Sequence, residues 1–347
     1  MFTVLVIALA TGVLVFLARD ALSPLPAGEV VLSENGDKPD ASSSTVEDVV
    51  AQAPALERTS TRQVLVTNGT KHSIPLNEIL SGGPAKDGIP SIDDPKFIAV
   101  DKASFLNNDD PGIGITVGGE SRFYPYRILV WHEIVNDTIA GKPVLVTYCP
   151  LCATGIAFDR RVAGKEQEFG VSGRLWQSNL LMYNRASREE DESLWSQVLG
   201  EAVVGPNTGE KLKIIPSEIT RFSEWKAAHT DTLVLSRDTG ALRTYGLDPY
   251  GDYYTSESVS FGASFSDTRL HPKALVHGIE IDGKYKAYDD AAITAGGIQD
   301  TFAGNAISAE RLPGGGVRFT AGGEGIAHVT GFWFSWLAVH PETELFK

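Results

Sequence analysis

Gly114-Ile-Thr-Val-Gly-Gly119, followed by Tyr124, returns later in the chain as Gly278-Ile-Glu-Ile-Asp-Gly283, followed by Tyr288. Each copy reads as strand, Gly turn, strand, the pattern of a β-hairpin. Two further matches follow in the same order. Asn136-Asp-Thr-Ile-Ala-Gly141 pairs with Gln299-Asp-Thr-Phe-Ala-Gly304, and Trp225-Lys-Ala-Ala-His-Thr-Asp-Thr232 pairs with Trp336-Leu-Ala-Val-His-Pro-Glu-Thr343. In the last pair Trp and His stand at helical spacing, with a turn after them. Three matches in one order predict a duplicated β architecture.

The copies differ in length. Gly114 to Thr232 spans 118 positions and Gly278 to Thr343 spans 65, which places a long insert in the first copy, broadly residues 160–212. The expected fold is mainly β (a β-rich α+β protein) built from two tandem related modules, residues 61–240 and 241–347. High glycine content between short apolar runs agrees with a turn-rich β chain.

Ahead of the modules, residues 1–18 carry no charge and are long enough to cross a bilayer as a helix. No basic stretch precedes them and no small-x-small cleavage site follows, so an uncleaved anchor over 1–20 is preferred to a signal peptide. Residues 21–60, rich in Ala, Ser, Pro, Glu and Asp, read as an acidic tether. The soluble part is then expected on the periplasmic or extracellular side, held to the membrane by the N-terminal helix. A net charge of −14 argues against nucleic acid and anionic lipid surfaces as partners, and no motif identifies a protein partner.

Farther in, Gln63–Thr67 reads as a first strand ending in an Asn68-Gly69 turn, and Ser73–Leu80 as a short helix. Residues 82–95 read as a long Gly/Pro/Asp loop. Tyr250, Tyr253 and Tyr254, with Asp248 and Asp252, read as a turn.

The chemistry concentrates in the first copy. Val144-Leu-Val-Thr-Tyr-Cys149-Pro-Leu-Cys152 holds the only two cysteines in the chain. The β-branched run predicts a buried strand with both thiols on the turn at its end. A C-x-x-C disulfide closes too short a loop to stabilise a large domain much. Two other uses stay open: a soft-metal grip and a dithiol–disulfide cycle. His132 lies 17 residues before Cys149. A helix, a turn and a strand over that distance would return it to the strand end as a third ligand. Met182 adds a thioether, and thiolate, imidazole and thioether together suit copper ahead of zinc. His132-Glu133 resembles the start of the zinc-protease helix motif, but Asn136 stands where the second His is required.

Within the insert, Asn179, Arg185, Trp195, Ser196 and Gln197 either line a polar pocket or join hairpins by hydrogen bonds. The second copy lacks the cysteines and has Ala295 where the first has His132. His229 and His340 occur in both copies and read as structural. Nucleotide-binding and lipase-type glycine motifs are missing from the sequence.

Gly88-Ile-Pro-Ser-Ile-Asp-Asp-Pro-Lys-Phe97, Trp131-His-Glu-Ile-Val-Asn-Asp137, Thr147-Tyr-Cys-Pro-Leu-Cys152, Phe169-Gly-Val-Ser-Gly173 and Leu194-Trp-Ser-Gln197 together resemble one prokaryotic family, domain of unknown function 3179, over roughly residues 85–345. The resemblance implies that Cys149, Cys152 and His132 belong to a shared core, and it implies no activity. Ala153 stands where the family commonly has Gly, with Gly155 nearby to take up the turn. Three functions follow as expectations: soft-metal handling or metal-dependent redox, thiol–disulfide exchange, or a non-catalytic β scaffold that binds a partner protein.

Overall fold

Strand Lys142–Cys149 runs between its neighbours Ile134–Ile139 and Thr154–Asp159, both antiparallel to it. A strand paired on both edges and covered on both faces needs apolar residues throughout. Val144, Leu145 and Val146 are accordingly inaccessible to solvent. The turn before this strand, Ala140-Gly141, has φ of 47° and 74°, the conformation that matches the twist of a two-residue hairpin. The computed structural model describes residues 62–347. The expected anchor (1–20) and tether (21–60) lie outside the described residues. No helix among the described residues is long and apolar enough to cross a membrane.

The chain is β-rich with few helices. Strand Pro111–Val117 pairs antiparallel with Glu120–Pro125 and, on its other edge, with Ser217–Arg221. Helix Phe222–Ala228 follows, then strand Leu233–Leu235, parallel to Glu120–Pro125. The later matched stretches take the same course. Leu275–Ile281 pairs antiparallel with Lys284–Asp289 and with Val329–Phe332. Helix Trp333–Val339 and strand Glu344–Phe346 follow, the strand parallel to Lys284–Asp289.

One packing device recurs in both. A side chain at Gly114 would overlap the indole of Trp225, and one at Gly278 the indole of Trp336. Each indole Nε1 then donates to a buried threonine, Thr232 or Thr343, at 2.9 Å. His229 stacks on the Trp225 indole, whereas His340 lies tilted against Trp336 and stacks on Tyr285.

Two larger sheets frame the thiol strand. One carries Ile134–Ile139, Lys142–Cys149 and Thr154–Asp159 and continues, through the pairing of Gly155 with Thr330, into Val329–Phe332 and Leu275–Ile281. The other is built mostly from the insert. It holds Phe169–Trp176, Asn179–Asn184, Leu194–Ser196 and Glu201–Val204 with three short strands from residues 65–81. A shared apolar core fills the space between the sheets, and both cysteines are part of it.

Two local expectations change. Ser73–Leu80 makes only the short 3-10 turn Leu76–Glu78. The stretch after His132 is the strand Ile134–Ile139, not a helix. Its β-branched residues pair residue by residue with Lys142–Thr147, and that tertiary pairing outweighs a charge pattern borrowed from helices.

Candidate functional site

The thiol strand ends at Cys149, and the chain folds straight into a 3-10 turn, Pro150–Cys152. Pro150 at the first position fixes the φ that such a turn needs. The turn ends on Ala153 in the left-handed conformation, φ 49°. Ala153 itself therefore supplies the residue that the family usually fills with Gly, and Gly155 does not take up the turn. Gly155 lies within the following strand for another reason: a Cβ there would sit 2.7 Å from the Tyr126 hydroxyl.

Both cysteines are free and essentially inaccessible, at 1% and 0% exposure. Their sulfurs converge on one acceptor, the Ser178 carbonyl, 3.2 Å from Cys152 Sγ and 4.0 Å from Cys149 Sγ. Ser178 belongs to the hairpin tip Gln177-Ser178, where φ is 53° and 62°. The other two-residue hairpin turns of this kind among the described residues, such as Asn68-Gly69, Ala140-Gly141 and Ala303-Gly304, place glycine second. Gln177-Ser178 has none, so strain is held at the tip that meets the thiols. Gln177 pins the tip: its Nε2 donates to Glu78 Oε2 at 3.1 Å, and its Oε1 accepts from Ser264 N at 2.6 Å.

The two thiols differ in their surroundings. Burial pushes the Cys149 thiol well above its ordinary value. Burial also opposes ionisation of Cys152, but nearby side chains able to donate to the thiolate, those of Cys149, Ser335 and Asn179, overcome it and leave this thiol below its ordinary value. Hydrogen bonds to the charged form act in that direction. Asn179 is held by a closed network. Its Nδ2 donates to Gln197 Oε1 at 2.9 Å and its Oδ1 accepts from Val198 N at 3.0 Å; Gln197 Nε2 donates to Thr147 Oγ1 at 3.0 Å.

A second ionisable group lies beside Cys149. Glu133 is only 7% exposed, and burial and then Cys149 raise its carboxyl well above the carboxylate range. Over the site runs the connection 236–274. Tyr253 Oη donates to the Leu151 carbonyl at 2.9 Å, and Trp131 Nε1 donates to the Leu247 carbonyl at 3.1 Å. A cavity of about 420 Å3 opens beside the thiol turn, walled by Tyr126, Tyr148, Ala153 and Tyr254.

The expected third ligand does not join the thiols. His132 Nδ1 is 2.7 Å from the Pro90 carbonyl and Nε2 is 2.7 Å from Tyr245 Oη. Both nitrogens are thus occupied, and burial lowers the imidazole's affinity for a proton. The hairpin register returns residue 132 to the level of the strand end, but the ring is held by Pro90 and Tyr245 rather than by the sulfurs. Met182 is fully buried opposite Val171 and Trp195. It stands three positions from Asn179 on one strand, and alternation puts the two on opposite faces. No group of three His, Cys, Asp or Glu side chains among the described residues could hold a metal ion.

Of the insert residues, Asn179 and Gln197 form the hydrogen-bond network between hairpins. Trp195 Nε1 donates to Asn184 Oδ1 at 2.9 Å, and Arg185 pairs with Asp93 at 2.5 Å away from the thiols. Ser196 Oγ is buried without a hydrogen-bond partner. Asn136 bridges Asp93 and the Phe169 backbone, so this asparagine is a structural link. Glu133, Ser178 and Ser335 complete the thiol environment, and sequence reasoning assigned none of them to it. For Glu133 a signal did exist: the second copy has Gly296-Gly297 at the corresponding place.

The fold and site define a β-rich protein with a buried, unbridged C-x-x-C pair. The chain belongs to the family described as protein of unknown function (DUF3179), whose model matches residues 86–323. No curated protein and no solved structure matches the chain.

Proposed function

We propose that this protein is an exported, membrane-anchored thiol–disulfide redox protein in which Cys149 and Cys152 cycle between dithiol and disulfide. Residues 1–20 serve as the anchor and 21–60 as the tether. Two related β modules form the body, and the first carries the chemistry. The observation that supports this reading is the pairing of two free thiols on one carbonyl with opposite tendencies to ionise. A thiol that ionises readily attacks a disulfide, and a second thiol beside it resolves the product.

In the forward step the Cys152 thiolate attacks a small disulfide RSSR, forming a mixed disulfide and releasing RS−. Cys149, deprotonated, then attacks Cys152 Sγ. The Cys149–Cys152 bond forms, a second RS− leaves, and the protons of the two thiols end on the two released thiolates. The dithiol loses two electrons and RSSR gains them.

The residues present do not fit zinc, which takes four donors in a structural site, since among the described residues the two thiols stand without a third grouped ligand. Copper by way of His132 and Met182 lacks the same assembly. The test is equilibration of the full chain in glutathione buffers of graded potential, with thiol titration and elemental analysis of the same samples. A reversible loss of both thiols, abolished in Cys149→Ser and Cys152→Ser, is expected. Thiols that stay reduced across the range, with copper retained until Cys149→Ser, would replace the redox reading with the metal one.

A further inference from the structure

We propose that the Glu133 carboxylate accepts the proton of Cys149 as that thiol closes the disulfide; the inference rests on the redox reading above. Glu133 is the residue immediately before strand Ile134–Ile139 and has φ 59°. In the second copy the register sets Gly296 at the place of Glu133 and Gly297, with φ 69°, one position later. Both copies thus turn through a left-handed residue ahead of the strand, and glycine takes that conformation without cost. The copy that carries the thiols puts it on a glutamate, against an αL penalty of about 1 kcal/mol or more.

What the glutamate brings is a carboxyl beside the thiol. Its carbonyl accepts from Tyr148 N at 2.8 Å and its own N donates to Leu129 O at 2.7 Å. The backbone is pinned on both sides, next in register to Cys149. The side chain is enclosed, and its charge acts on Cys149, Cys152 and Tyr250. The other titratable groups facing Cys149 are Tyr253 and Tyr254 from the covering connection, and Asp248 acts on the tyrosines rather than on the thiol. His132, its neighbour in sequence, is committed to Pro90 and Tyr245.

Burial raises both the carboxyl and the Cys149 thiol. A carboxylate whose proton affinity is raised above the ordinary carboxylate range is a stronger base for that transfer. The step balances within the site. The Cys149 S–H proton passes to a Glu133 carboxylate oxygen, Sγ of Cys149 bonds to Sγ of Cys152, and the Cys152–SR bond breaks. RS− leaves, and Glu133 returns its proton to the released thiolate or to water.

The experiment uses the full chain and 5,5′-dithiobis(2-nitrobenzoate), an aromatic disulfide whose released thiolate is coloured. The first equivalent reports attack by Cys152, and the second reports closure by Cys149. The expected wild-type result is two equivalents, with a second phase that accelerates through the raised carboxyl titration. Glu133→Gln and Glu133→Gly should slow only the second phase, by about a hundredfold, and lose that inflection. Glu133→Asp should restore part of the rate. The Gly variant keeps the favoured backbone, so a slow second phase in it is not a folding defect. Two equivalents with an unchanged second phase in both variants overturn the role of Glu133 and leave the redox reading standing. Fewer than two equivalents from the wild type overturn both.

Discussion

Gly114 and Trp225 occupy one volume: the indole lies where a side chain at residue 114 would stand, and Gly278 and Trp336 repeat the arrangement. Both indoles are buried, with Nε1 bonded to a threonine. Gly114→Ala must therefore push a pinned ring. The expected loss is about 1–3 kcal/mol, read as a lower urea midpoint at constant m. Gly278→Ala should cost a similar amount. Thr232→Val, which leaves the indole N–H buried and unpaired, should cost about 1–3 kcal/mol. An unchanged midpoint in Gly114→Ala would mean that the indole is free to move aside.

Ala153 gives a prediction of opposite sign. Its left-handed φ of 49° is one that glycine adopts freely, whereas an L side chain there costs about 1–2 kcal/mol. Glycine loses about 0.5–1 kcal/mol of that gain through the added freedom of the unfolded chain. Ala153→Gly should raise stability by about 0.5–1 kcal/mol in the same urea titration. A lowered midpoint would show that the Ala153 methyl makes packing contacts worth more than the strain.

The hairpins and the Trp–His helices were legible because their signals are local. Two-residue glycine turns and the Trp-to-His spacing act within a few residues, and both matched stretches fold as that spacing predicts. The thiol strand was legible for the same reason. The surroundings of the thiols were not. The Ser178 carbonyl reaches Cys152 across 26 residues, through the register of a hairpin inside the insert, and Ser335 arrives from a helix near the C-terminal end of the chain. Residue type alone made His132 and Met182 attractive ligands, but strand direction and alternation decide where a side chain points. A glutamate at 133 where the repeat has Gly296 was visible in the sequence, yet only the burial of its carboxyl beside the thiol strand gives it meaning.

The two stacked histidines predict a difference in acid. Burial, then Arg62 and Lys211, lowers His340 to about 3, whereas the more exposed His229 is lowered by burial alone. The ordinary value of 6.5 applies to the unfolded chain. Between pH 6.5 and about 3 the unfolded chain therefore takes up a proton that folded His340 refuses. Stability is fully present above that window and is lost as pH falls through it, by about 1.4 kcal/mol per unit. His340→Phe keeps the stack on Tyr285 and should flatten the slope, while His229→Phe should change it less. His328, also lowered to about 3, keeps part of the slope in either variant. Urea midpoints measured at pH 7 and pH 5 decide it: equal slopes in wild type and His340→Phe would show that His340 is protonated in the folded protein.

Ser178 joins the stability of the fold to the reactivity of the thiols. Its backbone is left-handed, and its hydroxyl is buried without a hydrogen-bond partner. Ser178→Gly removes both burdens and leaves the carbonyl that accepts from Cys149 and Cys152. Relief of the strain and of the buried hydroxyl should together raise stability by about 1–3 kcal/mol. The same change loosens the hairpin tip, because glycine no longer restricts it to one conformation. Alkylation of the thiols by iodoacetamide under native conditions should then quicken through local opening, even as the global midpoint rises. Faster alkylation with a lowered midpoint would point to simple loss of structure. Alkylation unchanged beside a raised midpoint would mean that the covering connection, rather than the strained tip, limits access to the sulfurs.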